Sequence, residues 1–194
     1  MYDKHVPQIA AGMRADPETF ARGVMFAICS IRQPITRVPE LLRDLDANGE
    51  TSVALNPVMK YDGYMYLQHH ATATWRDVCA LTRTRDALVR LLAVPSLGLV
   101  KAAFVLQFLG HDIACLDTHN LNKLKLSLRT FTNHSARGGK AVHGFTSKQI
   151  DLYMRLAYGK GRGKRFWNEW CEDRAVAYAM TAEEISALHL EVVS

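Results

Sequence analysis

Leu91-Leu92-Ala93-Val94-Pro95-Ser96-Leu97-Gly98-Leu99-Val100-Lys101-Ala102-Ala103-Phe104, followed further along by Cys115-Leu116-Asp117-Thr118-His119-Asn120, is the stretch on which the fold turns. The first half has the grammar of two helices joined by a very short turn. Pro95 and Gly98 permit the chain to stop and reverse, and Ala102, four residues after Gly98, lets two helices approach closely. A helix starting at this point exposes its first N–H groups, which form an anion site; on nucleic acid that anion is a backbone phosphate. Taken alone, the stretch reads equally well as an ordinary αα-hairpin.

Working outward, the periodicity is helical almost throughout and strand-like alternation is missing or short, so an all-α protein is expected. Asp16-Pro17-Glu18 caps a helix that runs through Phe20, Val24 and Ile28 and ends near Arg32-Gln33-Pro34. A second helix spans about Val38 to Leu45, closed by Asn48-Gly49. From Ser52 to Gln68 the pattern is weak, and Asn56-Pro57 and Asp62-Gly63 read as turns around short helices. Helices follow over Thr74–Leu81, Thr84–Ala93 and Val100–Leu109, the last apolar enough to be central. Beyond Asp117 the pattern gives a helix through Leu128, a glycine-rich loop at 137–144, helices over Ser147–Ala157 and Arg165–Tyr178, and a last one after the capping box Thr181 to Glu184.

Composition narrows the class. The chain has 194 residues, 48% apolar and 22% charged, the balance of a single globular unit. No uninterrupted apolar run is long enough for a membrane span, and Met1-Tyr2-Asp3-Lys4-His5 does not open like a secretory signal. A cytoplasmic or nucleoid location is expected, or the host cytoplasm for a viral protein. Cys29, Cys79, Cys115 and Cys171 lie far apart, which argues against zinc or an iron-sulfur cluster, so no metal and no cofactor is expected. The net charge of +5 is modest but unevenly placed. Gly159 to Arg165, with Lys160, Arg162, Lys164 and Arg165 among three glycines, and the shorter Arg137-Gly138-Gly139-Lys140 read as flexible basic loops suited to phosphates.

The order and chemistry of the two opening segments resemble the helix-hairpin-helix DNA glycosylase superfamily, in which an L-P-G-V-G hairpin precedes a V-D-T-H segment. The match is specific over roughly 88–125, and Ser30-Ile31-Arg32-Gln33 is similar to the family's S-A-Q segment. The resemblance implies a two-lobed helical fold in one compact unit: a six-helix barrel over 30–125 carrying the hairpin at 88–109, and a second lobe from 1–29 with 126–194. It implies duplex DNA as partner, a monomer, the hairpin residues Pro95, Ser96, Gly98, Val100 and Lys101 clamping a phosphate, and Gln33 with Arg32 filling the gap left by an extruded base. Asp117 matches the family's catalytic aspartate. His119 and Asn120 would face the same cleft, and Tyr64, His69 and His70 are the candidates for the base pocket.

Chemistry agrees with that role for Asp117. Breaking a base–sugar bond develops positive charge on the sugar, which a fixed carboxylate stabilises, or it activates the attacking water. The same residue is also placed to N-cap a helix starting at Thr118. The sequence departs from the family at three points. Counting from Gly98 puts Val100 where bifunctional members carry a nucleophilic lysine, with Lys101 one residue late, although a register counted from Asp117 would bring Lys101 to the site. The four-cysteine cluster loop is missing, and Ser96 stands for the first hairpin glycine. The expected activity is a monofunctional DNA N-glycosylase acting on a modified base. The alternatives are a transferase on the same fold, joining an amino acid or polyamine to an activated thymine as virus-encoded relatives are thought to do, and a non-catalytic DNA-binding module.

Overall fold

The computed structural model describes residues 2–127, 141–142, 144–169 and 171–179. They are overwhelmingly helical, in agreement with the all-α reading; β pairing among them is limited to a two-residue antiparallel pair, Ala141–Val142 with Phe145–Thr146, and a single bridge between Ile113 and Tyr158.

The N-terminus forms a helix that the sequence reading passed over, α1 (Tyr2–Ala15), which buries Val6, Ile9 and Met13 along one stripe. Asp16 then starts α2 (Pro17–Cys29) as expected: its carboxylate accepts from the Thr19 N–H at 2.8 Å and the Thr19 hydroxyl at 2.7 Å, with Pro17 in the first turn. Phe20 and all residues from Gly23 to Cys29 are buried, so α2 is a central helix. It ends at Cys29, three residues before Arg32. Helix α3 (Val38–Asn48) closes on Gly49, as expected, with φ +53° and ψ −124°, a backbone conformation open to glycine.

The largest difference is α4 (Val58–Ala80), one continuous helix of 23 residues where short helices and a turn at Asp62-Gly63 were expected. Gly63 is a point of close approach. A Cβ there would lie 2.8 Å from Ile28 Cδ1 and 2.8 Å from the Pro95 carbonyl oxygen. The missing side chain is therefore what lets α2 and the hairpin turn pack on α4.

Helices α5 (Thr84–Leu91) and α6 (Leu99–Phe108) are joined by a short turn at 92–98. Leu97 N–H donates to Val94 O (3.2 Å) and Ala102 N–H to Gly98 O (2.9 Å). Gly98 is the N-cap in extended backbone and no side chain caps the helix start. The strained position in the turn is Ser96, with φ +75°, a left-handed conformation that side chains rarely adopt. Its hydroxyl donates to Met59 O on α4.

After α6 the chain crosses an irregular segment into α7 (Thr118–Lys123), shorter than expected because Leu124 caps it and Lys125 turns left-handed at φ +55°. Helix α8 (Ser147–Ala157) starts on a full capping box, Thr146 with Gln149. The helix expected over Arg165–Tyr178 is broken: a short α9 (Arg162–Arg165) is followed by irregular backbone at 166–168, and helical backbone resumes as α10 over 171–179. The loop at 137–140 and the helix after Thr181 lie outside the described residues. One contiguous core of buried side chains runs from Ile9 in α1 to Tyr178 in α10, with α2 and α6 at its centre.

Candidate active site

Asp117 sits where an irregular segment enters α7. That segment is held by a buried tyrosine: Leu116 N–H donates to the Tyr153 hydroxyl (3.1 Å), which donates to Ala114 O (3.1 Å). Gln107, fully buried on α6, accepts from Cys115 N–H (3.3 Å) and donates to Gly163 O (2.7 Å). Each bond satisfies a group that would otherwise be costly to bury, and together they fix the backbone leading to the carboxylate. Asp117 is itself 7% exposed. One oxygen, Oδ1, accepts from Asn120 N–H at 2.8 Å and caps α7, and the Asn168 side-chain amide faces both oxygens at 3.4 Å.

Lys101, in the first turn of α6, reaches into the same region. Its Nζ donates to Ser30 Oγ at 2.6 Å, just past the end of α2, and Ser30 in turn donates to Ala27 O (2.8 Å). Burial pulls the Lys101 ammonium down to about 8, partly offset by Cys115 and Asp117 and reinforced by the Arg174 guanidinium. Arg174 is 5% exposed, and burial brings it down to about 10 against the opposing pull of Cys115, Cys171 and Asp117. Burial also pushes the Cys115 thiol well up, with Cys171 and Asp117 adding to it. A thiol held in that state is a poor nucleophile. The chemistry available here is thus a buried carboxylate and a half-buried amine whose protonation is poised within reach of neutral pH. Among the described residues no group of three or more His, Cys, Asp or Glu side chains is placed to hold a metal, and no helix is long and apolar enough to cross a membrane.

The structure gathers part of the expected set. Asp117, Lys101 and Val100 come together, the Cys115 thiol pointing at Val100 O (3.6 Å). Arg32, exposed with φ +55°, and half-buried Gln33 follow directly after Ser30, which places their loop beside the lysine. Pro95 and Ser96 face α4 at Gly63 and Met59. His119 is exposed on α7. Asn120 is fully buried: its amide donates to Cys115 O (2.7 Å) and Phe166 O (2.8 Å), so it is a structural tie and does not meet a DNA surface.

The three base-pocket candidates are not brought to Asp117. Tyr64 lines a cleft of about 480 Å³ between α2, α3 and α4, walled by Met25, Leu45, Leu67 and the Arg22–Asp46 ion pair, and neither Asp117 nor Lys101 lines it. His69 and His70 are exposed on α4, where His70 stacks on Tyr66.

The basic loop is also less open than its glycines suggest. Asp112 accepts from Gly161 N–H and Gly163 N–H, each at 2.9 Å, and Gly163 is buried against the backbone of 111–113. Arg162 donates to Arg155 O and Tyr158 O at the end of α8, and Lys164 pairs with Asp3. Lys160 and Arg165 remain solvent-exposed. Sequence reasoning missed Ser30 as the partner of Lys101, and Asn168 and Arg174 as neighbours of Asp117. For Ser30 the resemblance to the S-A-Q segment was a usable signal; the other two lie outside the resembling region. Comparison with protein-family models, curated proteins and solved structures gave no match.

Proposed function

We propose that this chain is a helix-hairpin-helix DNA glycosylase-like enzyme that takes one modified base out of duplex DNA and cleaves its N-glycosidic bond. Asp117 is the carboxylate that activates water and stabilises the charge developing on the sugar. The uncapped first turn of α6 holds a backbone phosphate, and Arg32 and Gln33 enter the duplex where the base has left. The observation that carries this reading is the convergence, beside the loop that follows Ser30, of a buried Asp117 and a half-buried Lys101 from the two segments on which the resemblance rests.

The test is incubation with genomic DNAs carrying different modified bases, followed by mass spectrometry of released bases and of DNA nucleosides. A free base with a matching abasic site is expected, and Asp117→Asn should slow its release by about 10²-fold or more. A mass gain on a nucleoside, seen only with added amine, would establish a transferase instead. DNA retention with no chemistry, unchanged in Asp117→Asn, would leave a binding module.

A second reading is favoured by the lowered Lys101 alone: the neutral amine, rather than water, attacks the sugar C1′ and displaces the base, and breaking the C1′–O4′ ring bond then gives the Schiff base. Borohydride reduction during turnover separates the two. A covalent protein–DNA product lost in Lys101→Gln supports the amine, and free abasic DNA without any adduct supports water.

A further inference from the structure

The Asp117 carboxylate has its Oδ1 committed to the Asn120 N–H, so what faces the rest of the group decides how it is held. That neighbour comes from the far end of the chain. Asn168 stands just before α10, and its side-chain oxygen accepts from Cys171 N–H at 3.0 Å, capping the start of that helix. With the oxygen engaged, the amide can be oriented only one way: the NH₂ must point at Asp117, where it lies 3.4 Å from each carboxylate oxygen. Flipping it would set an oxygen against a carboxylate and an NH₂ against an N–H donor. The segment is itself docked, because Asn120 holds Phe166 O at 2.8 Å and Trp167 Nε1 donates to Glu172 at 2.6 Å.

We propose that Asn168 is a positioning residue for Asp117, coupling the start of α10 to the carboxylate. Its amide lies astride both oxygens and holds the group in one rotamer, and so sets the orientation of a residue that lies 51 positions earlier. The two contacts are long, which suits donors that tighten when charge develops in a reacting complex. The inference deepens the reading of Asp117 as the chemical carboxylate and rests on it.

Two variants keep the helix cap and change only what Asp117 meets, since Asp and Ser are both good caps. Asn168→Ser removes the amide donor, and single-turnover base release should fall about tenfold with DNA affinity and melting temperature unchanged. Asn168→Asp adds a like charge; release should fall about 10²-fold at neutral pH and recover as the pH is lowered and the new carboxyl takes up a proton. A merely structural role would lower the melting temperature in step with the rate and restore both together in acid. Wild-type rates in both variants would overturn the inference while leaving the role of Asp117 intact. A readout that needs no activity is the NMR spectrum of the ¹⁵N-labelled full chain. The Asn168 side-chain amide protons should shift when Asp117 is changed to Asn, and unmoved resonances would overturn the contact even if the chain proved not to be a glycosylase.

Discussion

At the residue scale the arrangement around Lys101 has a thermodynamic cost that is separable from any activity. Burial lowers its ammonium from the ordinary 10.5 to about 8, so the unfolded chain holds that proton more tightly than the folded one. The destabilisation is therefore present in full below about pH 8 and is relieved as pH rises from there toward 10.5. Lys101→Met, which fills the same space without a charge, is expected to stabilise the protein at neutral pH by about 1 kcal/mol, with the gain shrinking toward pH 10. Melting curves of both proteins across that range check it; a difference independent of pH would mean that the ammonium is not desolvated. A stabilised but inactive variant would mark Lys101 as a residue kept for chemistry. Its partner Ser30 is a fixed acceptor, because its own proton is given to Ala27 O.

At the scale of elements, α4 shows how a buried stripe escapes notice. Its buried positions are Lys60, Gly63, Leu67, Thr74 and Val78, spaced as a helix face requires but written largely in residues that do not count as apolar. Lys60 is 1% exposed and donates to Cys29 O at the end of α2, a favourable partner for a cation beside a helix C-terminus. The hairpin and the α2 cap were legible because local chemistry specifies them: Asp16-Pro17 starts a helix wherever it sits. Gly63 was misread because a glycine permitting a turn and a glycine permitting close approach look alike until the neighbour is known. Alanine has the better helix propensity by about 1 kcal/mol, yet Gly63→Ala should lower stability by about 1–2 kcal/mol net, since Pro95 O is backbone and cannot move aside. Urea unfolding measures this. A stabilised variant would show that the hairpin does not seat on α4 as described.

At the scale of the whole molecule, the cations sort into two groups that the sequence presents as one. Arg162 is bonded to backbone carbonyls and the exposed Lys164 pairs with Asp3, whereas Lys160 and Arg165 face solvent without an ion-pair partner among the described residues, Arg165 lying over the Phe166 ring at 5.3 Å. For a DNA-directed chain, replacing Lys160 and Arg165 by alanine should weaken DNA binding and reduce the slope of log affinity against log salt by about 2, with little change in melting temperature. Arg162→Ala should do the reverse, lowering melting temperature through the lost bonds to Arg155 O and Tyr158 O with a small effect on the slope. Fluorescence anisotropy over a salt series, paired with thermal melts, distinguishes the groups; equal effects from both would dissolve the distinction. The sequence displays charge but not its partners, which is why loop 159–165 read as flexible while Asp112, 49 positions before Gly161, pins it.

The long-range ties of Gln107 and Asn120 have a consequence for biosynthesis. Both are buried amides whose partners, Gly163 O and Phe166 O, lie 56 and 46 positions later in the chain. On the ribosome, Asp117 and the hairpin emerge well before the segment that completes these bonds. Until then the nascent chain carries two amides that must stay hydrated, which keeps the carboxylate's surroundings open to water. The surroundings of Asp117 are therefore completed last, and a chain released early would carry the helices on either side of the 92–98 turn without the ties that fix the backbone around the carboxylate.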